Sequence, residues 1–183
     1  FPDIETFATL SPIPGFRAWL ESPSTDLARH LPKSVAERIV RETGQSDLRG
    51  AMMHLARIGE AEGYSRSDLL RQAALHLGAR YLAGIDSRTG PTDAVARFHL
   101  GNGARIEQLD WMGDLSPKGI RQSHGLMVNY LYDLDEVERN HEAFANGRPV
   151  AVSRNVAELI DIAETELLPQ ALKSLVRKSS AQA

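Results

Sequence analysis

Two side chains stand out for the chemistry they could do together: Ser11 and His99, a hydroxyl and an imidazole 88 positions apart in a chain without cysteine. Such a pair can relay a proton or hold a developing negative charge. Ser11 lies in Phe7-Ala8-Thr9-Leu10-Ser11-Pro12-Ile13-Pro14-Gly15-Phe16. There Pro12 and Pro14 fix their own φ and push Ser11 and Ile13 into extended backbone, which aims the hydroxyl at one place. Gly15 carries no Cβ, so the chain can turn sharply there or be approached closely. Read alone, the same decapeptide is also a proline-rich turn that ends a strand, with Ser11 bonding only to its neighbours.

Other chemistries find less support. Pro12 rules out a GxSxG elbow and denies the next backbone N–H to an oxyanion hole, so an ordinary serine hydrolase does not fit. The six histidines form no HExxH or similarly spaced set, and no metal centre is expected. The glycines after His99 are not spaced as a dinucleotide loop, and there is no Walker sequence. Zero cysteines exclude disulfides and thiolate nucleophiles. With 21 basic and 24 acidic residues and no dense basic block, neither a nucleic acid nor an anionic membrane is indicated as a partner. No apolar run approaches the ~20 residues that span a bilayer.

The elements that must position the pair follow from length and periodicity. At 183 residues and 42% hydrophobic content, one domain with a real core is expected. A strand over residues 6–10 starts almost at once after Phe1, with no partner before it, which suggests a piece of a longer chain. Residues 31–84 turn helical. One helix follows Pro32, carries Val35, Ala36, Ile39 and Val40 on one face and stops at Gly44. A second is capped by Ser46 or Asp47, buries Leu48, Ala51, Met52, Leu55 and Ala56, and ends at Gly59. A third opens on Ser65-Arg66-Ser67-Asp68 as a capping box and ends at Gly84. His54 and His76 read as ordinary helix residues and Met52-Met53 as core filling.

Residues 95–100 then read as a strand, Gly101-Asn102-Gly103 as a tight hairpin, and residues 104–111 as the returning strand. Alternation would set Ala96, Phe98 and Leu100 on one face and His99 with Arg97 on the other. A loop over residues 110–114 leads to a short helix, with Ser116 as cap and Pro117 at its first position. After Gly125, residues 126–132 form a strand apolar enough to be central. Residues 133–142 look acidic and solvated, with His141 at the surface. A last amphipathic helix is capped by Ser153 or Asn155, buries Val156, Leu159, Ile160, Ala163, Leu167, Leu172, Leu175 and Val176, and is kinked at Pro169; residues 178–183 should fray.

Four stretches, in this order, resemble the C-terminal half of the malonyl-CoA decarboxylase family: the decapeptide at Ser11, Ala96-Arg97-Phe98-His99-Leu100-Gly101-Asn102-Gly103-Ala104, Asp110-Trp111-Met112-Gly113-Asp114, and Ser123-His124-Gly125-Leu126-Met127-Val128-Asn129-Tyr130-Leu131-Tyr132. The resemblance implies an α+β fold with an acetyltransferase-like (GNAT) mixed sheet, here only its later strands, plus a helical insertion over residues 27–84. It implies that Ser11 and His99 are the catalytic pair and that Ser11, His99 and Tyr132 bind substrate. Malonyl-CoA is the expected partner, with no metal and no cofactor besides the coenzyme A of the substrate. The upstream strands, the coenzyme A phosphate loop and an N-terminal helical domain used for homo-oligomerisation are expected outside these residues, and the ending lacks a Ser-Lys-Leu address, which points to a cytoplasmic enzyme. Two rivals remain: an acyltransferase on the same kind of fold, and a noncatalytic acyl-CoA-binding or scaffold domain.

Overall fold

The computed structural model describes residues 5–62, 68–85, 87 and 90–167. The expected first strand is present as β1 (Thr6–Pro12), continuing through Ser11 before the backbone turns at Pro14-Gly15 into a short helix, α1 (Phe16–Glu21). A 3-10 turn over Leu27–Arg29 opens the helical block. In α2 (Lys33–Thr43), Ile39 is buried and Gly44 ends the helix at a φ of 66°, returning its N–H to the Val40 carbonyl. The next helix, α3 (Leu48–Glu62), is capped by Asp47, whose Oδ1 accepts from the Gly50 N–H at 2.8 Å. It does not stop at Gly59. A glycine in a helix interior costs only about 1 kcal/mol against alanine, too little to end a helix that packs on its neighbours. The capping box expected at residues 65–67 lies outside the described residues.

The third helix of the block, α4 (Asp68–Ala83), is buried nearly all round and ends at Gly84, φ 70°. Helix α4 lies against the sheet, and Gly78 is the reason it can: a Cβ there would come within 2.6 Å of Leu126 and 2.8 Å of Leu109. The remaining elements are α5 (Ala94–Gly101), β2 (Arg105–Asp110), α6 (Pro117–Ser123), β3 (Met127–Asp133), α7 (Val137–Ala145) and α8 (Arg154–Leu167).

Residues 95–103 correct the sequence reading. The stretch carrying His99 is a helix, because the Asp93 carboxylate caps it: Oδ1 accepts from the N–H groups of Val95 at 2.9 Å and Ala96 at 3.1 Å. Gly101-Asn102-Gly103 is its C-terminal stop and not a hairpin. The Asn102 N–H bonds the carbonyls of Phe98 and His99, and Gly103 takes a φ of 84°. Ala96 and Leu100, four apart, face inward, while Arg97 and Phe98 are exposed. Phe98 therefore does not share the buried face with them.

The sheet is α+β in its setting and has the order β1-β3-β2, all antiparallel, with β3 central as expected. Its one parallel feature among the described residues is an isolated bridge from Ile106 to Val152, so the named strands do not make the mixed sheet anticipated. Burial in β3 alternates strictly, with Val128, Tyr130 and Tyr132 inside and Met127, Asn129, Leu131 and Asp133 half exposed. Ser116 caps α6, accepting from the Gly119 N–H at 3.1 Å with Pro117 behind it. Residues 137–145 form a helix and not a loosely solvated run, with Asn140 buried and donating to the Gly103 carbonyl at 3.2 Å; His141 is exposed. Ser153 caps α8, and Val156 and Ile160 are buried beneath it. Pro169, residues 172–176 and 178–183, and the side chains of Ala163 and Leu167 lie outside the described residues.

Candidate active site

Pairing of β1 with β3 sets Phe7 opposite Tyr132, Thr9 opposite Tyr130 and Ser11 opposite Val128. Side chains at alternate positions share a face, so Thr9, Ser11, Tyr130 and Tyr132 all point the same way. Helix α5 presents His99 to that face. The Ser11 Oγ and His99 Nε2 lie 3.2 Å apart, although 88 residues separate them in the chain. On the far side of the ring, His99 Nδ1 lies 2.7 Å from the Tyr132 hydroxyl, and Thr9 Oγ1 lies 3.2 Å from Ser11 Oγ. Hydroxyl, hydroxyl, imidazole and phenol thus form one hydrogen-bonded line across the face.

Aromatic rings hold this line in place. The Tyr130 ring stacks on the imidazole at 4.4 Å and 16°, Phe7 stacks on Tyr132 at 4.6 Å and 8°, and Phe98 meets His99 edge-on at 5.2 Å. Phe7 and Phe98 are 49% and 63% exposed, so they make an apolar rim around a site whose Ser11 is buried. Tyr130 is fully buried, and its hydroxyl has no hydrogen-bond partner among the described residues.

Burial pushes the His99 pKa below its ordinary 6.5, which leaves the ring neutral at neutral pH. Burial likewise raises the Tyr132 phenol, and at Tyr130 burial and then the nearby Asp93 charge do the same. Both phenols therefore keep their protons. Two arrangements satisfy the ring: Tyr132 donates to Nδ1 and Nε2–H donates to Ser11, or Nδ1–H donates to Tyr132 and the Ser11 hydroxyl donates to Nε2. In the first the serine O–H is left for another acceptor; in the second it is occupied.

The structure thus brings together all three residues singled out in the sequence, Ser11, His99 and Tyr132. Sequence reasoning missed Thr9 and Tyr130, and a signal existed for both. Each stands two positions from a chosen residue on the same strand, so alternation alone puts it on the same face. The stretch 110–114 and the opening residues of the stretch 123–132 serve the backbone instead. Met112 turns the chain at a φ of 62°, the Asp114 N–H bonds the Gly125 carbonyl at 3.2 Å, and the Ser123 hydroxyl donates to the Leu126 carbonyl at 2.7 Å. His76 is buried within the helical block, with Nδ1 2.8 Å from the Leu159 carbonyl, and Met52 is core.

Cavities of 820, 560 and 320 Å³ are lined by other residues; the first lies between the end of α4, the loop after α7, and α8. Ser11, His99 and Tyr132 line none of these three. Among the described residues no cluster of three or more His, Asp or Glu could hold a metal ion, and no helix is long and apolar enough to cross a membrane.

Comparison with known proteins bears directly on this site. Residues 1–170 match the family described as Malonyl-CoA decarboxylase C-terminal domain. The chain is 34% identical over 165 residues to the malonyl-CoA decarboxylase, mitochondrial, of Anser anser anser, covering 87% of this chain and 33% of that protein. It is also 34% identical over 170 residues to the protein of the same name from Rattus norvegicus, covering 87% and 34%. The crystal structure of malonyl-CoA decarboxylase from Cupriavidus metallidurans is similar with a TM-score of 0.74 at 38% identity, over 87% of this chain and 39% of that one. That from Agrobacterium vitis gives 0.64 at 42%, over 87% and 36%. The chain spans about a third of the length of the curated relatives it matches. A match that runs from the first residue past the end of α8, together with relatives of one name in both sets, establishes that the chain belongs to the malonyl-CoA decarboxylase family.

Proposed function

We propose that the protein to which this chain belongs decarboxylates malonyl-CoA to acetyl-CoA and CO₂ through a thioester enolate, with Ser11 and His99 as the catalytic pair. The observation that carries the reading is the 3.2 Å approach of Ser11 to His99 while the other ring nitrogen is held by a phenol. In the substrate the carboxylate is β to a thioester carbonyl. When its C–C bond breaks, the electron pair flows into that carbonyl as an enolate, and one proton must then reach the carbon. The substrate is its own electron sink, so the reaction calls for no metal and no cofactor beyond the coenzyme A it already carries.

Tyr132 donates to His99 Nδ1 in this proposal, which leaves the ring proton on Nε2, facing Ser11 and the substrate. His99 then supplies the Nε2–H donor to the enolate oxygen and gives that proton to carbon while Nδ1 takes the Tyr132 proton, which solvent replaces, so that ring and phenol both end neutral; Ser11 holds the malonyl carboxylate and relays hydrogen bonds to the ring. A preorganised donor at a developing oxyanion is worth about 3 to 4 kcal/mol, roughly 10² to 10³ in rate. The exposed rings of Phe7 and Phe98 offer apolar surface for the pantetheine arm.

The finer architecture belongs to the same proposal. The three strands are the later part of an acetyltransferase-like sheet, and the helices over residues 27–84 are an insertion into it. The open side of β1, paired only with β3 among the described residues, supports an upstream strand beside it. In this proposal the phosphate loop and a helical domain for homo-oligomerisation belong to the rest of the full-length protein, in keeping with a chain that spans about a third of its relatives' length. Identities of 38% and 42% to bacterial structures, against 34% to the vertebrate mitochondrial proteins, support a bacterial-type enzyme, and a cytoplasmic location is part of the same proposal.

Incubation of the full-length parent with malonyl-CoA tests the reading: acetyl-CoA and CO₂ should appear in equal amounts. An acylated amine or alcohol in place of CO₂ would assign acyl transfer instead, and acyl-CoA binding without any product would leave a binding module.

A further inference from the structure

We infer that Asp93 is a positioning residue of this site: its buried carboxylate ties the turn after Ser11 to the first turn of the helix that carries His99, and so fixes the distance between the two. Asp93 is 2% exposed and accepts from four donors. Oδ1 takes the N–H groups of Val95 and Ala96; Oδ2 takes the Gly15 N–H at 3.2 Å and the Tyr81 hydroxyl at 3.3 Å.

Capping alone does not call for a carboxylate. In this chain α6 and α8 are capped by Ser116 and Ser153, each through one hydroxyl. A carboxylate is costly to bury, so its second oxygen points to a second task. That oxygen reaches Gly15, 78 residues away in sequence. Between Ser11 and Gly15 the backbone is stiffened by Pro12 and Pro14, and between Asp93 and His99 it is helical. Pinning Gly15 to Asp93 therefore pins the serine to the imidazole through two rigid arms. Gly15 suits the joint because a Cβ there would collide with the Tyr81 hydroxyl.

The experiment is Asp93→Ser in the full-length parent, with and without Ser11→Ala. The serine keeps a hydroxyl cap and removes the tether. We expect kcat to fall roughly tenfold with KM changed by less than about twofold, since small misplacements of reacting groups act on the rate. In the Ser11→Ala background the same substitution should cost less than about twofold more, because the spacing it enforces no longer has a partner. A kcat within about twofold of wild type, or an undiminished further loss on top of Ser11→Ala, overturns the inference. Should Asp93→Ser fail to fold, Asp93→Asn, which keeps the capping oxygen and turns an NH₂ toward Gly15, is read by the same criteria. The kinetic arm rests on the decarboxylase reading. If the wild-type parent leaves malonyl-CoA untouched, that reading fails, and the positioning inference is judged by the ¹⁵N shifts of the His99 imidazole: displaced in the Asp93 variant they support it, unchanged they overturn it.

Discussion

The two faces of the small sheet are made by the same three strands and differ in almost everything else. Inward stand Thr9, Ser11, Tyr130 and Tyr132, roofed by the helix of His99, with Ser11 5% and Tyr132 8% exposed. Outward stand Ala8, Leu10, Asn129 and Leu131, with Leu10 54% exposed. On the inward face hydroxyls, imidazole and phenol are joined into one line; on the outward face the polar groups serve local geometry, as where Asn129 donates to Asp110. The difference shows that alternation is the device that separates chemistry from surface. One residue of slip in β1 would carry Ser11 to the outward face and Leu10 to the imidazole.

The hardest blow to this contrast is the removal of the pair. Ser11→Ala and His99→Asn in the parent should each lower kcat by roughly 10² or more with stability nearly unchanged, and the double variant should be barely worse than the poorer single one. Rates close to wild type would erase the distinction between the faces. Next in size is the response to acid. Because burial lowers the pKa of His99, its neutral form prevails above that value and is lost as pH falls through it. The acid limb of kcat/KM should therefore have its midpoint below 6.5, about tenfold in rate per pH unit beyond it, and should vanish in His99→Asn. A midpoint above 6.5 would contradict the neutral ring.

Smaller is the effect of Tyr132→Phe, which keeps the stacking on Phe7 and deletes the hydroxyl at Nδ1. A hydrogen bond of this kind is worth about 1 kcal/mol, so a loss of roughly fivefold in kcat is expected; an unchanged rate and KM would reduce Tyr132 to packing. Smallest is Leu10→Gln on the outward face, where kcat and KM in the parent should stay within about twofold. A loss as large as that of Tyr132→Phe would bring the outward face into the site.

Much of this was legible beforehand. The helical block follows three- and four-residue spacing, and the stops at Gly44 and Gly84 stand where positive φ is needed. The central strand announces itself by apolar and aromatic content. The stretch at His99 misled for a physical reason: Asn-Gly offers positive φ both to a hairpin and to a helix end, and eight residues are too few for periodicity to choose. The decisive signal was Asp93, a cap just before the stretch. Ser11 and His99 could be listed as candidates from their types, but their meeting could not be read from spacing; resemblance paired them, and the fold places them in contact. Thr9 and Tyr130 required only that alternation be carried one step further.

Strand β1 pairs through its backbone with β3 alone among the described strands, and it brings Phe7, Thr9 and Ser11 to the site together. Whenever β1 parts from β3 all three leave at once, and an upstream strand of the kind proposed above would hold them there longer. The lifetime of the assembled site is then set by local opening of one strand and not by the stability of the whole domain. On warming, the catalytic geometry should dissolve while the helices around α4 are still intact.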